Sequence, residues 1–253
     1  AMTDAAWRGA IGSVAIRMRV LRNRLFIDSM EAVHLTPDYD PLAPDTLIRV
    51  VEERKALAAD LAALVDGFTR LGEACGQRRW TNHAVDAADQ LLDHHWDPEL
   101  GGLFTTADDG ERLIVRQKDL LDNATPSANS LAAVALLRLA ALTGEQRFAN
   151  HADRILQLLD PVMRRAPSAA GNALAGLHTR LVGPSELVVP GALGTFGDVY
   201  RARWRPNVVL AWGETDNSPL FDGRTSGSAY LCHGHVCMAP TTDAGALRSQ
   251  LDD

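Results

Sequence analysis

Residues 70–84 read RLGEACGQRRWTNHA, and residues 138–152 read RLAALTGEQRFANHA. The two stretches align at a constant offset, so Gly76 corresponds to Gly144 and Trp80 to Phe148. On either side of each glycine, apolar residues recur every three or four positions, which is typical of amphipathic helices. Each copy therefore predicts a helix, a glycine turn and a second helix. The predicted helices are 45–71, 79–94, 130–142 and 147–159.

Repeated helical hairpins must stack, because one pair alone leaves an apolar stripe exposed to water. A solenoid and a closed α/α toroid both satisfy this need. The connection between the copies is long, and residues 103–105 and 113–116 around Asp108-Asp109-Gly110 predict a β-hairpin. Such an insertion favours a mainly α, toroid-like fold with small β-hairpins and a pocket near its axis. Two clear hairpins leave open whether the ring is complete.

The chain divides by composition into residues 1–44 and a toroid-like domain at 45–253. The first part is basic and amphipathic up to about Val33 and then forms a proline-rich loop. A segment of this kind packs on its own domain or contacts a partner helix or a membrane. Beyond Pro161 the elements become short. Predicted helices are Asn172–Leu181, Ala192–Tyr200 and Ala244–Leu251, and predicted strands are Val208–Trp212 and Ala229–Cys232.

Charge and composition narrow the classes of partner. The formal net charge of −7 argues against a general nucleic-acid surface, which needs clustered Lys and Arg. No apolar run reaches the roughly 18 residues that span a bilayer, so no membrane span is predicted. Three cysteines in a chain of 253 residues predict a reducing, cytoplasmic setting. A small sugar ligand, a homo-oligomer and a protein partner all remain open.

Residues 118–130, KDLLDNATPSANS, precede the most strongly helical stretch of the chain. Ser127 or Asn129 can cap this helix, and Pro126 suits its first turn. The alternative is a binding site at the helix N-terminus, where the backbone amides carry partial positive charge. In a toroid this segment faces the axis, where Asp122 could act as an acid or base and Asn123 could bind hydroxyl groups.

Several ordered motifs resemble one known family. They run from Gly101-Gly102-Leu-Phe104 through Arg116-Gln-Lys118 and residues 122–130 to Arg205-Pro-Asn-Val-Val209 and Pro219-Leu-Phe-Asp-Gly-Arg224. In this order they resemble the thioredoxin domain-containing proteins related to spermatogenesis-associated protein 20, over about residues 57–253. That family joins a thioredoxin-like domain to an (α/α)₆ toroid similar to six-hairpin glycosidases and sugar epimerases. The chain has no Cys-x-x-Cys motif, so the resemblance covers the toroid part alone.

The resemblance implies a carbohydrate-binding or carbohydrate-active domain. Its pocket is expected to use Asp122 as the catalytic residue, with substrate-binding side chains from Trp96, Arg116, Lys118, Asn123 and Asn129. No metal and no cofactor are predicted. The opposing hypothesis is a non-catalytic scaffold for protein association. An enclosed pocket with a carboxylate pair would favour the first hypothesis, and an exposed apolar edge would favour the second.

Other chemically active residues offer weaker patterns. Glycoside hydrolysis needs two carboxylates, but spacing singles out no pair among Asp97, Asp119, Asp122 and Glu186. His94 and His95 are adjacent on a helix and diverge by about 100°, so they form no acid–base pair. His83 and His151 hold equivalent positions in the two repeats, which indicates helix packing.

The stretch 232–237, CHGHVC, leaves structural thiols, a zinc site and a redox pair open. Strand alternation would send Cys232 and Cys237 to opposite faces.

Overall fold

The computed structural model describes residues 57–110, 113–215, 219–234 and 236–252. The predicted N-terminal segment 1–44 and the first residues of the predicted domain, 45–56, lie outside the described residues. Within them the chain forms α1 (Ala58–Cys75), α2 (Arg78–His95), α3 (Ala128–Thr143), α4 (Gln146–Arg165), α5 (Gly171–Val182), β1 (Ser185–Pro190), α6 (Gly194–Arg201), β2 (Val208–Gly213), β3 (Tyr230–His233), β4 (Val236–Cys237) and α7 (Ala244–Asp252). The prediction of a mainly α fold with helical hairpins and small β elements is confirmed.

Both repeated hairpins are present and turn in the same way. Gly76 and Gly144 end their first helices at φ 66° and 74°, a left-handed conformation that glycine adopts without strain. Their amides donate to the carbonyl oxygens of Gly72 and Ala140, at 2.9 and 2.8 Å. The repeat in the sequence therefore encodes one turn geometry used twice.

The helices form two rows. Helices α1, α3 and α5 lie side by side, α2 packs against α1, and α4 packs against α3. Because α3 lies in the middle, thirteen of its sixteen residues are buried. Helix α4 is amphipathic and buries one stripe, consisting of Phe148, Ala152, Ile155, Leu156, Leu159 and Met163. This arrangement agrees with stacked hairpins, and closure into a ring stays a prediction.

A four-stranded sheet with the order β2-β1-β3-β4 packs beside the helices. Strands β1 and β2 are parallel and joined through α6, while β3 is antiparallel to both of its neighbours. Alternation divides the apolar side chains of the strands between two faces. Leu187, Val189, Leu210 and Leu231 pack against α6 and α7. Val188, Val209 and Ala211 pack against Ala141 and Leu142 at the end of α3.

Two predictions about local structure are wrong, and one strand was not predicted. Residues 103–116 form no β-hairpin in their described part, where Leu103 makes one isolated bridge with Trp96. Helix α4 continues past Leu159 to Arg165 and includes Pro161. Strand β1 was not predicted, although Leu187-Val188-Val189 is an apolar run with two β-branched valines. None of the described helices combines the length and apolar character that crossing a bilayer requires.

The two cysteines of the sheet form a disulfide with each other, so neither of them is a free thiol in this structure. Cys232 on β3 lies directly opposite Cys237 on β4. The expectation that strand alternation would separate them is wrong, because the chain reverses between them and each cysteine stands on its own strand.

Candidate functional site

The predicted site residues lie on or beside the connection between α2 and α3, residues 96–127. Trp96 is the residue after α2, and Ser127 is the N-cap of α3. The connection carries Trp96, Arg116, Lys118, Asp122 and Asn123, and Asn129 lies in the first turn of α3. The structure therefore brings the predicted residues to one long connection, on which each has a different set of contacts.

Asn129 is fully buried and holds the connection to α3. Its Oδ1 accepts from the Leu103 amide at 2.7 Å, and its Nδ2 donates to the Leu103 carbonyl at 3.0 Å. The same Nδ2 also donates to the carbonyl of Asp119 at 2.9 Å. These bonds satisfy the side-chain amide within the chain, so Asn129 positions the backbone of the connection.

Lys118 and Asp97 form an almost buried ion pair inside the connection. Lys118 Nζ lies 2.6 Å from Asp97 Oδ2 and 2.6 Å from the Gly101 carbonyl oxygen. The hydrogen bond from Lys118 is the main reason why the pKa of Asp97 lies below its usual value, while burial acts in the opposite direction. Asp97 Oδ1 also accepts from the amides of Glu99 and Leu100. This pair fixes the tight turn that follows α2.

Arg116 and Trp96 also make their contacts with other residues of the chain. The guanidinium of Arg116 donates to the carbonyl oxygens of His94 and Thr106 and lies 4.4 Å from the ring centroid of Phe104. The indole of Trp96 meets the ring of His151 edge-on at 4.6 Å between centroids. The guanidinium carbon of Arg154 lies over the same indole, 5.2 Å from its ring centroid. Both predicted residues are thus half-buried in contacts of the chain with itself.

Asp122 joins the N-termini of two helices. Its Oδ1 accepts from the Ser127 amide at 2.9 Å and from Ser130 Oγ, and its Oδ2 accepts from the Asn172 amide in α5 at 2.8 Å. Burial, the largest influence, raises the pKa of Asp122, but the bonds from Ser130, Ser127 and Asn172 outweigh it and the pKa is lowered. A proton-transfer role for Asp122 stays a prediction.

Ser127 caps α3 as the sequence suggested, since its Oγ accepts from the Ser130 amide at 3.1 Å. Asn123 differs from the other predicted residues because its side chain is exposed. Its Nδ2 lies 3.4 Å from the Leu121 carbonyl oxygen, which leaves most of its hydrogen-bonding capacity to solvent.

The histidines near this connection have separate environments. His95 is 1% exposed, and burial is the main cause of its lowered pKa. His94 is exposed and lies 3.0 Å from Asp108. Ligand atoms of His94, Asp108 and Asp109 lie within 4.8 Å of one another, so these three could hold a metal ion. His83 packs its ring against Phe68 and Trp80, the packing role predicted from its position in the repeat.

Two cavities lie away from the predicted residues. A cleft of about 460 Å³ opens at the carboxyl ends of β1 and β2, and its walls include Gly191, Gly213, Asp222 and Arg224. A cavity of about 30 Å³ lies beside Glu73 and Trp212. None of the predicted site residues lines either cavity.

A buried ion pair between Glu73 of α1 and Arg138 of α3 was not predicted. Arg138 Nη2 lies 2.6 and 2.8 Å from the two oxygens of Glu73, and Nη1 donates to the Pro206 carbonyl. Burial lowers the pKa of Arg138, but the charge of Glu73 outweighs it and raises the pKa. The sequence contains one signal for this pair: Arg138 is a single charged residue inside the apolar stretch 131–143, LAAVALLRLAALT.

Comparison with known proteins gives one group of relatives. The chain is 30% identical to spermatogenesis-associated protein 20 of Homo sapiens in an alignment 209 residues long, which covers 76% of this chain and 27% of that protein. The Rattus norvegicus and Mus musculus proteins of the same name are 30% and 29% identical over a similar span. The chain thus spans about a quarter of the length of these relatives. No protein-family model matches it. The resemblance predicted from the motifs is confirmed.

Proposed function

We propose that this chain, a homologue of one part of spermatogenesis-associated protein 20, is a protein-association module that uses the connection between α2 and α3. The observation that carries the proposal is the exposure of Leu113, Ile114 and Val115, at 44%, 103% and 66%. We call these three residues the apolar segment. Consecutive large apolar side chains in water are unfavourable, and they mark binding surfaces in soluble proteins.

The surroundings of the apolar segment indicate the charge of the partner. Arg116 follows the segment and bonds to the carbonyl of His94, whose side chain meets Asp108. Asp109 lies in the same exposed group. Asp108 and Asp109 precede the apolar segment closely in the sequence, and exposed carboxylates there favour a partner in which apolar side chains alternate with Lys or Arg, because complementary charges select and orient the partner.

A sequence with this chemistry is present in the chain itself, so the proposed partner is a second copy. Residues 5–33 combine five arginines with large apolar side chains. The arginines are Arg8, Arg17, Arg19, Arg22 and Arg24, and the apolar residues include Trp7, Ile11, Val14, Met18, Leu21, Leu25 and Phe26. Their attraction to carboxylates is screened by salt, so the association should weaken as ionic strength rises.

The test is sedimentation velocity of the full chain across a concentration series. We expect concentration-dependent self-association. The double variant Ile114→Ser, Val115→Ser should raise the dissociation constant roughly tenfold or more, because central apolar contacts dominate interface energies. The matched control is Leu181→Ser, Val182→Ser, which changes an exposed apolar pair at the end of α5. A monomeric wild type at all concentrations, or equal effects of the two double variants, would refute the proposal.

A sugar site around Asn123 is the second candidate. It is supported by the exposed amide of Asn123 beside Asp122, at the joined N-termini of α3 and α5. Trp96, Arg116 and Lys118 belong to the same connection, where their contacts within the chain hold its backbone in place. Exposed amides of this kind bind hydroxyl groups as donor and acceptor together.

Thermal-shift measurements with a panel of sugars and sugar phosphates test this second candidate. We expect stabilisation of the wild type that is lost in Asn123→Ala, a change that removes little internal bonding. Asp122→Ala is the stronger perturbation and should also lower the melting temperature without ligand. If no sugar stabilises the wild type, or if Asn123→Ala responds equally, the sugar site is absent.

A further inference from the structure

The Cys232–Cys237 disulfide lies at the edge of the sheet and joins a buried cysteine to an exposed one. Strand β4 is the last strand in the order β2-β1-β3-β4 and is two residues long. Cys237 on this strand is exposed, whereas Cys232 on β3 is 2% exposed. An external thiol can therefore approach Cys237 Sγ from solvent, while Cys232 Sγ is shielded. A buried structural disulfide would offer no such asymmetry.

An arginine is placed against both sulfurs. Arg224 Nη2 lies 3.3 Å from Cys232 Sγ and 3.1 Å from Cys237 Sγ. The guanidinium is held in this position by the Leu220 carbonyl, which accepts from Nη1, and by the ring of Tyr230 at 5.5 Å. A disulfide has no net charge, so a fixed cation contributes little to it. The same cation is well placed to stabilise a thiolate at either sulfur.

We propose that Cys232–Cys237 is a redox-active disulfide that exchanges with external dithiols, with Arg224 stabilising the reduced pair. Thiol–disulfide exchange requires an accessible sulfur to be attacked and a leaving thiolate of low basicity. Because Cys237 is exposed, it is the cysteine that an external thiolate can attack. Cys232 is then the leaving thiolate, and the guanidinium of Arg224 beside it lowers the basicity of this sulfur.

The exchange balances with a dithiol as the reductant. A thiolate of the dithiol attacks Cys237 Sγ and forms a mixed disulfide, while the bond between the two cysteines breaks and Cys232 leaves as a thiolate beside Arg224. The second thiol of the reductant then attacks the mixed disulfide and releases Cys237 as a thiolate. Two electrons pass to the protein, and the dithiol becomes a cyclic or protein disulfide. Oxidation of the pair runs through the same steps in reverse.

The experiment uses the full chain with Cys75→Ser, because Cys75 is an exposed free thiol that would also react. The protein is equilibrated at neutral pH with mixtures of reduced and oxidised dithiothreitol, quenched with acid and alkylated. Mass spectrometry then counts the free thiols. We expect a reversible transition between zero and two alkylated cysteines while the circular dichroism spectrum stays native.

Substitution of Arg224 tests the assigned role of the cation. In Arg224→Gln the equilibrium should move toward the disulfide by roughly tenfold, the equivalent of about one unit in a thiol pKa, and reduction should be slower. Arg224→Lys should lie closer to wild type because it keeps the charge. Arg165→Gln, at the exposed end of α4, is the matched control and should change nothing.

Three results would overturn the proposal. The first is that both Cys232 and Cys237 can be alkylated in the native protein under oxidising conditions, which would mean that they form no disulfide. The second is reduction only under conditions that unfold the chain. The third is an unchanged thiol–disulfide equilibrium in Arg224→Gln, with unfolding curves that show the variant is folded. None of these results bears on self-association through the apolar segment, so the two proposals fail independently.

Discussion

At the scale of single residues, the predicted site residues are chiefly engaged in holding the chain together. Asn129 bonds to Leu103 and Asp119, and Lys118 pairs with Asp97. Asp122 accepts bonds from residues at the start of both α3 and α5. Polar side chains at helix N-termini satisfy backbone amides that have no partner within the helix. The polar stretch 118–130 is therefore explained in large part by capping.

Substitution of Asp122 tests its role as a cap of two helices. Asp122→Asn should lower the free energy of unfolding by about 2–3 kcal/mol at pH 7, because an amide cannot accept all the bonds that the carboxylate accepts. Urea unfolding followed by circular dichroism measures this. Asp119→Asn is the matched control, since the Asp119 side chain is exposed and only its backbone carbonyl bonds to Asn129. Equal losses in the two variants would contradict a capping role.

The effect of Asp122 should also depend on pH. Its pKa is lower in the folded protein than in the unfolded chain, where an aspartate has a pKa of about 3.9. The carboxylate therefore contributes stability that is fully present above this unfolded value and is lost as the pH falls through the folded pKa. The difference in unfolding free energy between wild type and Asp122→Asn should shrink from pH 7 to about pH 3. A constant difference across this window would show that the ionised form is not responsible.

At the scale of secondary-structure elements, a buried charge connects the helical hairpins to the sheet. Glu73 on α1 accepts from Arg138 on α3 and from the Leu210 amide on β2, the latter at 3.0 Å. The carbonyl of Glu73 accepts from Trp212 Nε1 at 2.7 Å. Two buried partners of opposite charge satisfy each other, but either one alone would be left unpaired in a medium of low polarity.

We predict that Glu73→Gln destabilises the protein by about 3 kcal/mol or more, because it leaves the Arg138 charge buried without a counter-ion. The double variant Glu73→Met, Arg138→Met should recover part of this loss, since no charge then remains to be buried. Urea unfolding measures both. Asp153→Asn, which breaks the exposed pair with Arg180, is the control and should cost less than about 1 kcal/mol. A double variant less stable than Glu73→Gln would refute this account.

At the scale of the whole molecule, the sheet and the first helical hairpin meet at two glycines. Gly213, at the end of β2, has φ 83°, and a Cβ there would lie 2.2 Å from the Gly76 carbonyl oxygen. The next amide, of Glu214, donates to this oxygen at 3.0 Å, and the Glu214 carboxylate accepts from the Arg78 amide at 2.9 Å. The close approach of two backbones at this point sets how the sheet docks onto the hairpin.

We predict that Gly213→Ala is clearly more harmful than Gly223→Ala. Both glycines have positive φ, so both variants carry the strain of about 1–2 kcal/mol expected for alanine in that region. At Gly223 an added Cβ meets no atom within 4 Å, whereas at Gly213 it meets rigid backbone. Differential scanning calorimetry should show a much larger fall in melting temperature for Gly213→Ala. Similar falls would mean that the two backbones separate at little cost.

The sequence predicted the elements whose signals are local. The repeat predicted both helical hairpins and their glycine turns. The bounds of α2 and α5 differ from the predicted ones by one residue at each end. Spacing of apolar residues and the identity of capping residues act within a few positions, so a single stretch of chain contains the information. The set of candidate site residues was likewise found on one connection, because the connection is continuous in sequence.

Tertiary structure alone decided the features that depend on distant partners. Residues 103–116 had turn and strand signals, but in their described part the backbone bonds to scattered partners: Leu103 to the side chain of Asn129, Phe104 to His95 and Thr105 to Gln117. Whether Cys232 and Cys237 could bond depended on the reversal of the chain between them and on the pairing of β3 with β4. The partners of Asp122 and Arg138 lie on other elements, and burial with those partners determines what each charged group does. Such contacts form only when separate elements pack, so no local pattern of residues specifies them.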